Sequence, residues 1–275
     1  MIKNILDHDL FIFDLDGVVY EGTRALINSI ESLCKLHKMG KQIAFFTNNA
    51  TQTPENFALK VSSMGYKCDK NQIFTSALVC GNALSLKYPK GSKAFVIGEM
   101  GLISALSNGG FTIINEDYSF DQIIENETIV SSVVAVGLDK NVSYKKFAAA
   151  SQLIARGAHF YASNADATLP DVHGFLPGAG SLVSFMITAT GKEPCHIFGK
   201  PDPEGIFQIL KRFNITKDKA VMIGDRIDTD ILCGKNAGIK TALALTGVMT
   251  AASLVDTPPS NFPDWVLPDL SAIFN

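Results

Sequence analysis

The 275-residue sequence is poor in several features that would point to particular classes of protein. Its five cysteines are an odd number and widely spaced, without a C-x-x-C pair, which argues against a disulfide framework or a zinc site. It has no basic run and carries a net charge of −3, which argues against a general nucleic-acid binder. Its longest apolar stretch, around 129–138, is interrupted by serines and is too short to span a bilayer.

The first residues also lack the pattern of a signal peptide, because Asp7 and Asp9 come before any long apolar stretch. We therefore expect a cytoplasmic protein whose partners include neither nucleic acid nor membrane. The chain does contain 47% hydrophobic and 19% charged residues, which are the proportions of a soluble globular protein. Its length is near the size at which chains divide into two domains.

Short apolar runs alternate with helical patterns, which is typical of parallel α/β sheets. The outer parts of the chain have strand-like runs such as LFIF, QIAFFT, AVMIG and KTALA. The middle block has its own alternation of strands and helices. We therefore predict an α/β protein with a doubly wound parallel-sheet core, formed by residues 1–81 and 188–275, and an inserted α/β domain at 82–187.

Polar residues stand where the predicted core strands end. Because the carboxyl ends of parallel strands share one edge of a sheet, these side chains should converge there. Lys200, in GKPDP, precedes a helix start and joins the set. Gly17 follows the first pair of acids and allows a sharp turn. The strand-end residues are Asp14 and Asp16 in DLDG, Thr47, Asn48 and Asn49 in TNNA, and Asp225, Asp228 and Asp230 in GDRIDTD.

Such a set needs a cation. Two carboxylates about 5 Å apart repel by roughly 3 kcal/mol at an effective dielectric constant near 20. Oxygen ligands together with a phosphate partner suit Mg²⁺. Thr47 and Asn48 add hydrogen-bond donors, and Lys200 adds a point charge suited to phosphate. The sequence therefore predicts a phosphoryl-transfer site that uses Mg²⁺.

The segments DLDGV, TNNA, GKPDP and GDRIDTD resemble, in order, the four motifs of the haloacid dehalogenase (HAD) superfamily of phosphatases. The segment FFTNNATQTPENFALKVSSMG and the large insert resemble its NagD-like, p-nitrophenyl phosphatase branch (subfamily IIA), as do ASNADATLP and PGAGSLVSF. The resemblance covers nearly the whole chain. It implies a Rossmann-like core with an α/β cap domain, and a Mg²⁺-dependent phosphatase acting on small phosphomonoesters.

The same resemblance implies roles for individual residues. Asp14 would be the nucleophile that forms an aspartyl-phosphate. Asp16 would protonate the leaving oxygen and later activate water. Lys200 would balance the charge of Asp14 and the phosphoryl group, and Asp230 would orient Lys200. The binding residues would be Thr47, Asn48 and Asn49 for phosphate, and Asp14, Asp225 and the backbone oxygen of Asp16 for Mg²⁺.

The inserted domain is expected to choose the substrate, because the core motifs account only for the phosphoryl group. The polar segment from Asn164 to Asp166, with His173 nearby, is the candidate for this selection. The sequence leaves the physiological substrate open among nucleotides, sugar phosphates, pyridoxal phosphate and phosphoglycolate. It also leaves open whether the protein is a monomer or a homodimer.

Two other functions fit part of the pattern. A phosphotransferase or phosphomutase of the same superfamily would share Asp14. A non-hydrolytic, phospho-accepting signalling receiver also groups acidic residues with Thr and Lys at strand ends, but receivers are far shorter and have no inserted domain. The second carboxylate, Asp16, favours turnover over storage of the phosphate, and a dehalogenase would not be expected to carry it.

Overall fold

The structure is a computed structural model and describes residues 4–171, 174–250, 254 and 257–275. The chain divides into two compact units, which are named here the core unit and the cap unit. Of the helices described, none has the length and apolar character that a membrane crossing needs. The core unit contains residues 1–47, 54–74 and 200–275, and the cap unit contains residues 48–53 and 75–199.

The strands and helices are short, and several follow the predicted runs closely. The strands are β1 (Leu10–Phe13), β2 (Tyr20–Glu21), β3 (Arg24–Ala25), β4 (Gln42–Thr47), β5 (Ile73–Thr75), β6 (Lys93–Ile97), β7 (Thr112–Ile113), β8 (Val133–Val136), β9 (His159–Ala162), β10 (Thr168–Asp171), β11 (Gly174–Pro177), β12 (Ala220–Gly224), β13 (Lys240–Ala244) and β14 (Trp265–Leu267). The helices are α1 (Ser29–Lys38), α2 (Pro54–Ser63), α3 (Ser76–Lys87), α4 (Met100–Asn108), α5 (Phe120–Glu125), α6 (Tyr144–Ala155), α7 (Ala179–Thr190), α8 (Glu204–Phe213) and α9 (Leu232–Ala237).

The core unit is built on a six-stranded sheet in the order β14-β13-β12-β1-β4-β5. β1 is central and pairs in parallel with β12 on one side and β4 on the other, so that Leu10 lies opposite both Ala220 and Gln42. All four residues of β1 and all five of β12 are buried. Continuous burial is expected for parallel strands that are covered on both faces.

Helices cover both faces of this sheet. Phe45 of β4 belongs to the apolar cluster that includes Leu33 of α1 and Phe57 of α2. Its neighbour Phe46 points to the opposite face, where its ring packs directly against Gly205 of α8, at a position that leaves no room for a Cβ atom. Alternate side chains of one strand are thus covered by different helices, which confirms the predicted doubly wound core.

The cap unit has a separate four-stranded parallel sheet in the order β7-β6-β8-β9. Its apolar cluster joins Phe95 of β6 and Val134 of β8 to residues of α6 and α7 such as Phe147 and Met186. β10 and β11 form an antiparallel hairpin between β9 and α7. The predicted inserted domain is therefore an α/β unit with its own core.

The two units divide at Thr75 and Gly199, whereas the sequence analysis places the inserted domain at 82–187. α3 lies in the cap unit because it packs closely on α4. A Cβ atom at Gly81 of α3 would lie 2.5 Å from the carbonyl oxygen of Ala105 on α4. The short segment 48–53 also belongs to the cap unit, where a Cβ atom at Gly101 would collide with the carbonyl oxygen of Ala50.

The close approach of α3 and α4 gives a test of this division. We expect Gly81→Val to lower the free energy of unfolding by about 1–3 kcal/mol, because the added side chain forces the two helices apart. Leu86→Ala in the same helix is the control, since Leu86 is 87% exposed. Calorimetric unfolding should show a lower transition temperature for Gly81→Val only. Equal transition temperatures would contradict the packing.

Candidate active site

β1 and β12 are neighbours, and each is followed directly by an aspartate. The backbone N–H of Asp14 donates to the carbonyl of Ile223 at 2.9 Å, so the ladder continues one residue beyond β1. Asp225 follows Gly224, the last residue of β12. Because the two strands are parallel and adjacent, both carboxylates lie at the same edge of the core sheet. The convergence expected from the sequence is present.

Lys200 lies at the centre of this group. Its Nζ donates to Oδ1 of Asp14 at 2.7 Å and to Oδ1 of Asp230 at 2.6 Å. The lysine is only 4% exposed. Burial alone would lower its pKa, but the two carboxylates outweigh burial and raise the pKa of Lys200 above its ordinary value. Lys200 is therefore a fixed positive charge.

Asp230 is held from two sides. Its Oδ1 accepts from Lys200, and its Oδ2 accepts from the backbone N–H groups of Asp225 at 3.1 Å and Arg226 at 3.0 Å. It lies in the π-helical turn Ile227–Ile231, just before α9, and is 1% exposed. Both oxygens of Asp230 thus have donors, so this residue is placed to orient Lys200 rather than to bind a metal ion.

The Asp225 carboxylate is enclosed by backbone. Its Oδ2 accepts from the N–H of Val248 at 2.7 Å. A Cβ atom at Gly17 would lie 2.5 Å from the same oxygen, and one at Gly247 would collide with it. Gly17 also has a φ of +79°, so glycine is required there for conformation as well as for space. Burial and the neighbouring Asp230 raise the pKa of Asp225 to about 6.

The residues present fit a hard divalent cation. One carboxylate oxygen from each of Asp14, Asp225 and Asp230 lies within 4.8 Å of the others. Burial raises the pKa of Asp14 well above its ordinary value, and the charges of Asp230 and Asp225 raise it further, although Lys200 opposes them. An all-oxygen set of this kind suits Mg²⁺. Since Asp230 already has donors on both oxygens, Asp14 and Asp225 are the side chains that would hold the ion.

Asp16 lies in the turn after β1, where its side chain is exposed while Asp14 and Leu15 are buried. The turn is fixed by the N–H of Gly17, which donates to the carbonyl of Tyr20 at 2.8 Å. Desolvation by the surrounding protein raises the pKa of Asp16. Lys60 and Lys200 partly oppose this, as does the Tyr20 hydroxyl. Asp16 thus combines access to solvent with a tendency to hold a proton.

Thr47 is the last residue of β4 and is buried. β4 is the other neighbour of β1, with Phe45 opposite Phe13. Thr47 therefore ends its strand at the same edge as Asp14. The position suits the predicted contact with a phosphate oxygen, and that role stays a prediction.

The other predicted binding residues lie in the cap unit. The side-chain amide of Asn48 donates to Oδ1 of Asp166 at 3.1 Å, and that of Asn164 donates to the carbonyl of Asn48 at 2.9 Å. Asn49 accepts from the N–H and hydroxyl of Thr51. The structure thus brings Asn48, Asn164 and Asp166 together. Their predicted contacts with phosphate or substrate remain predictions, and His173 lies outside the described residues.

Sequence reasoning missed the groups that surround Asp225 and Asp16. Gly247 and Val248 enclose Asp225 from the loop after β13, and the available signal was a glycine following a strand end in ALALTGV. Tyr20 and Lys60 act to lower the pKa of Asp16, but no spacing in the sequence connects α2 with the turn after β1.

Comparison with known proteins supports the interpretation of this site. Residues 11–112 match the family described as haloacid dehalogenase-like hydrolase, and residues 197–273 match a second family, HAD-hydrolase-like. The chain is 34% identical to phosphoglycolate phosphatase 2 of Arabidopsis thaliana, over 98% of this chain and 94% of that protein. It is 32% identical to the 5'-nucleotidase YutF of Bacillus subtilis, over 90% of each.

A solved phosphatase structure is also similar to this chain. The glycerol phosphate phosphatase of Mycobacterium tuberculosis in complex with magnesium superimposes with a TM-score of 0.87 at 29% identity. The match covers 98% of this chain and 78% of that one.

The chain therefore belongs to the haloacid dehalogenase superfamily. Within it, the four-stranded cap inserted between the motifs is that of the NagD-like subfamily IIA, and the protein is a phosphatase of small phosphomonoesters. Both the predicted family and the predicted phosphatase activity are confirmed.

The crowded carboxylates predict a linkage between metal, pH and stability. A carboxyl whose folded pKa is raised to about 6, from an ordinary 3.8, favours the folded state when protonated. The apo protein therefore loses stability as pH rises from about 4 to 6, by on the order of 3 kcal/mol for Asp225. Above pH 6 the Asp225 carboxylate is ionised and available to Mg²⁺.

We expect Mg²⁺ to raise the unfolding temperature more at pH 7.5 than at pH 5, where protons compete for Asp225. Asp225→Asn should stabilise the apo protein at pH 7.5 and abolish the Mg²⁺ shift. Asp228→Asn is the matched control, because Asp228 is exposed and pairs only locally with Arg226 among the described residues. A Mg²⁺ shift in Asp225→Asn equal to that of the unaltered protein would exclude Asp225 as a ligand.

Proposed function

We propose that Asp14 and Asp16 divide the hydrolysis between them in two steps. In the first, Oδ2 of Asp14 attacks phosphorus, the bond from phosphorus to the leaving oxygen breaks, and Asp16 gives its proton to that oxygen. In the second, Asp16 takes a proton from water, whose oxygen attacks phosphorus. The aspartyl-phosphate bond then breaks, inorganic phosphate leaves and Asp14 is restored.

The observation that carries this proposal is the asymmetric bonding of Asp14. Lys200 bonds Oδ1, while Oδ2 has no hydrogen-bond partner among the described residues. One oxygen is thereby anchored and the other is left with its lone pairs for attack. Because Asp230 also accepts from Lys200, the lysine is fixed, and its hydrogen bond keeps the Asp14 carboxylate in one orientation.

The remaining core residues would neutralise and hold the phosphoryl group. The Lys200 ammonium balances negative charge as the phosphoryl group approaches Asp14. The Thr47 hydroxyl would donate to a phosphoryl oxygen from the end of β4. When bound by Asp14, Asp225 and the Asp16 backbone oxygen, Mg²⁺ would supply further positive charge at the phosphoryl oxygens.

The cap unit offers one residue better suited than its neighbours to read the leaving group. Asn164 is only 3% exposed, and its amide nitrogen is used within the unit. Asp166 is only half-buried; its backbone N–H donates to Asn164 at 3.2 Å, and its Oδ1 accepts from Asn48 at 3.1 Å. We therefore assign Asn164 to holding the loop and Asp166 to substrate selection.

The substrate class follows from the names of the relatives, which act on phosphoglycolate, nucleotides and glycerol phosphate. We propose that this chain acts on a small phosphorylated metabolite of this range. Phosphate release from a panel of such compounds should be strongest for one class. Asp166→Asn should change the order of substrates more than it changes turnover of nitrophenyl phosphate, whereas a uniform loss across the panel would make Asp166 structural.

The proposed compartment is the cytoplasm. All five cysteines are free thiols, and Cys80 and Cys233 are buried in the fold. Unpaired thiols in a protein of this size fit a reducing compartment.

The division of roles is tested by two aspartate variants. Nitrophenolate needs little protonation to leave, so Asp16→Asn should still transfer phosphate to Asp14 and release one equivalent of nitrophenol. It should then stall, because no group activates water. Asp14→Asn should give neither burst nor phosphoprotein, and the control Asp228→Asn should turn over normally. Rapid-quench kinetics measures the nitrophenol burst, and mass spectrometry of the protein measures the phosphorylated Asp14. Steady turnover by Asp16→Asn would contradict the scheme.

A further inference from the structure

The turn that contains Asp230 continues directly into α9, so that residues 227–237 form one segment of the core unit. The first half of this segment bonds Lys200, because Oδ1 of Asp230 accepts from its Nζ at 2.6 Å. The second half, α9, also contacts the loop that contains Lys200. The two-step scheme gives α9 no task.

Two side chains of α9 bond the main chain directly after Lys200. Nδ2 of Asn236 donates to the carbonyl of Pro201 at 3.0 Å, and Sγ of Cys233 donates to the carbonyl of Asp202 at 3.2 Å. Pro201 and Asp202 are the two residues that follow Lys200 in the chain. The backbone next to the lysine is therefore held at two successive carbonyls.

The spacing of the donors explains how one segment can do this. Cys233 and Asn236 are three residues apart in α9, so they lie on the same side of the helix. Asp230 precedes Cys233 by another three residues, in the π-helical turn. The segment thus bonds Lys200 at its ammonium group and also holds the chain from which the side chain extends.

α9 is itself fixed against the core sheet. A Cβ atom at Gly234 would collide with Cγ2 of Thr241 in β13 and would lie 3.2 Å from Cβ of Met222 in β12. The helix therefore lies directly on the two strands, without space for a side chain between them. Cys233 is fully buried beside this contact. The donors that hold the lysine loop are thus carried by a helix that has little freedom to move.

We propose that Cys233 and Asn236 are positioning residues for Lys200. They hold the two carbonyls that follow the lysine and so fix the direction in which its side chain leaves the backbone. A lysine side chain has many rotamers, and a fixed backbone limits those that bring Nζ to Asp14. The inference rests on the proposed role of Lys200, which is to balance the charge of Asp14 and the phosphoryl group.

Loss of either hydrogen bond should weaken the action of Lys200. We expect Asn236→Ala and Cys233→Ala each to lower kcat for nitrophenyl phosphate by about 3- to 10-fold, the effect of one typical hydrogen bond. Inhibition by inorganic phosphate should weaken in the same range, because Lys200 balances the charge of the phosphate. Cys233→Ser keeps a donor at this position and should restore most of the activity lost in Cys233→Ala.

The position of Lys200 can be measured without turnover. Proton–nitrogen NMR of the lysine ammonium groups, in protein free of Mg²⁺, reports how fast each group exchanges protons with water. Lys200 is 4% exposed and bonds two carboxylates, so it should give a slowly exchanging signal. Loss of this signal in Lys200→Arg assigns it. Asn236→Ala and Cys233→Ala should speed the exchange, and Cys233→Ser should not.

The variants are chosen to keep the fold. Asn236 is exposed, and alanine is a good helix former, so Asn236→Ala should leave α9 intact. Gln72→Ala is the matched control, because the Gln72 amide likewise donates to a backbone carbonyl of the core unit, that of Ile43 at 2.9 Å. Ile43 lies near the start of β4, away from the strand end at Thr47. The control should change neither kcat nor the Lys200 signal.

The two measurements separate this inference from the function on which it rests. An unchanged Lys200 signal in both alanine variants would overturn the positioning role, whatever the kinetics show. A Lys200 signal that exchanges rapidly in the unaltered protein, or that changes equally in Gln72→Ala, would also overturn it. If the exchange is faster in the alanine variants but kcat and phosphate inhibition stay normal, the positioning role stands and the proposed role of Lys200 in turnover fails.

Discussion

The site depends on one buried ammonium group. One oxygen from each of the buried carboxylates of Asp14, Asp225 and Asp230 lies within 4.8 Å of the others, and without Lys200 no ammonium group would bond Asp14 and Asp230. Their mutual repulsion would push the ends of β1 and β12 apart. Removing one partner of a buried ion pair costs about 3–5 kcal/mol, because a charge is left unpaired. The lysine thus belongs to the fold as much as to the chemistry, and it is itself held by Asp230.

The sequence was sufficient for the core sheet and for the edge where the site lies. Runs such as LFIF and AVMIG are buried throughout, and a parallel sheet is the arrangement that buries them. Once the strands are parallel, the residues that follow them lie at the same edge of the sheet. Pairing of β1 with β12 therefore brings Asp14 and Asp225 together, whatever the conformation of the loops. The prediction succeeded where position along a strand alone decides the outcome.

The sequence was insufficient where packing between distant segments decides the structure. α3 joins the cap unit because Gly81 allows contact with α4, and no local pattern reveals that contact. α9 is preceded by the π-helical turn Ile227–Ile231, in which the Asp230 carboxylate accepts from the backbone N–H groups of Asp225 and Arg226, and no local pattern in the sequence reveals this turn. The contact of Lys60 with Tyr20 likewise joins a helix to a turn forty positions away.

Two aspartates separated by one residue receive different environments, and this difference fits the different tasks proposed for them. Asp14 is buried and fixed through Lys200, so it can attack phosphorus from one direction. Asp16 is on the exposed side of a tight turn, where it can exchange a proton with a leaving group or with water. Gly17 makes the separation possible: its φ of +79° turns the chain between the two environments. Its missing Cβ leaves the space that Asp225 occupies. A side chain at position 17 would therefore disturb both the turn that holds Asp16 and the space that the Asp225 carboxylate occupies. One glycine thus supports the proposed acid and the proposed metal ligand together.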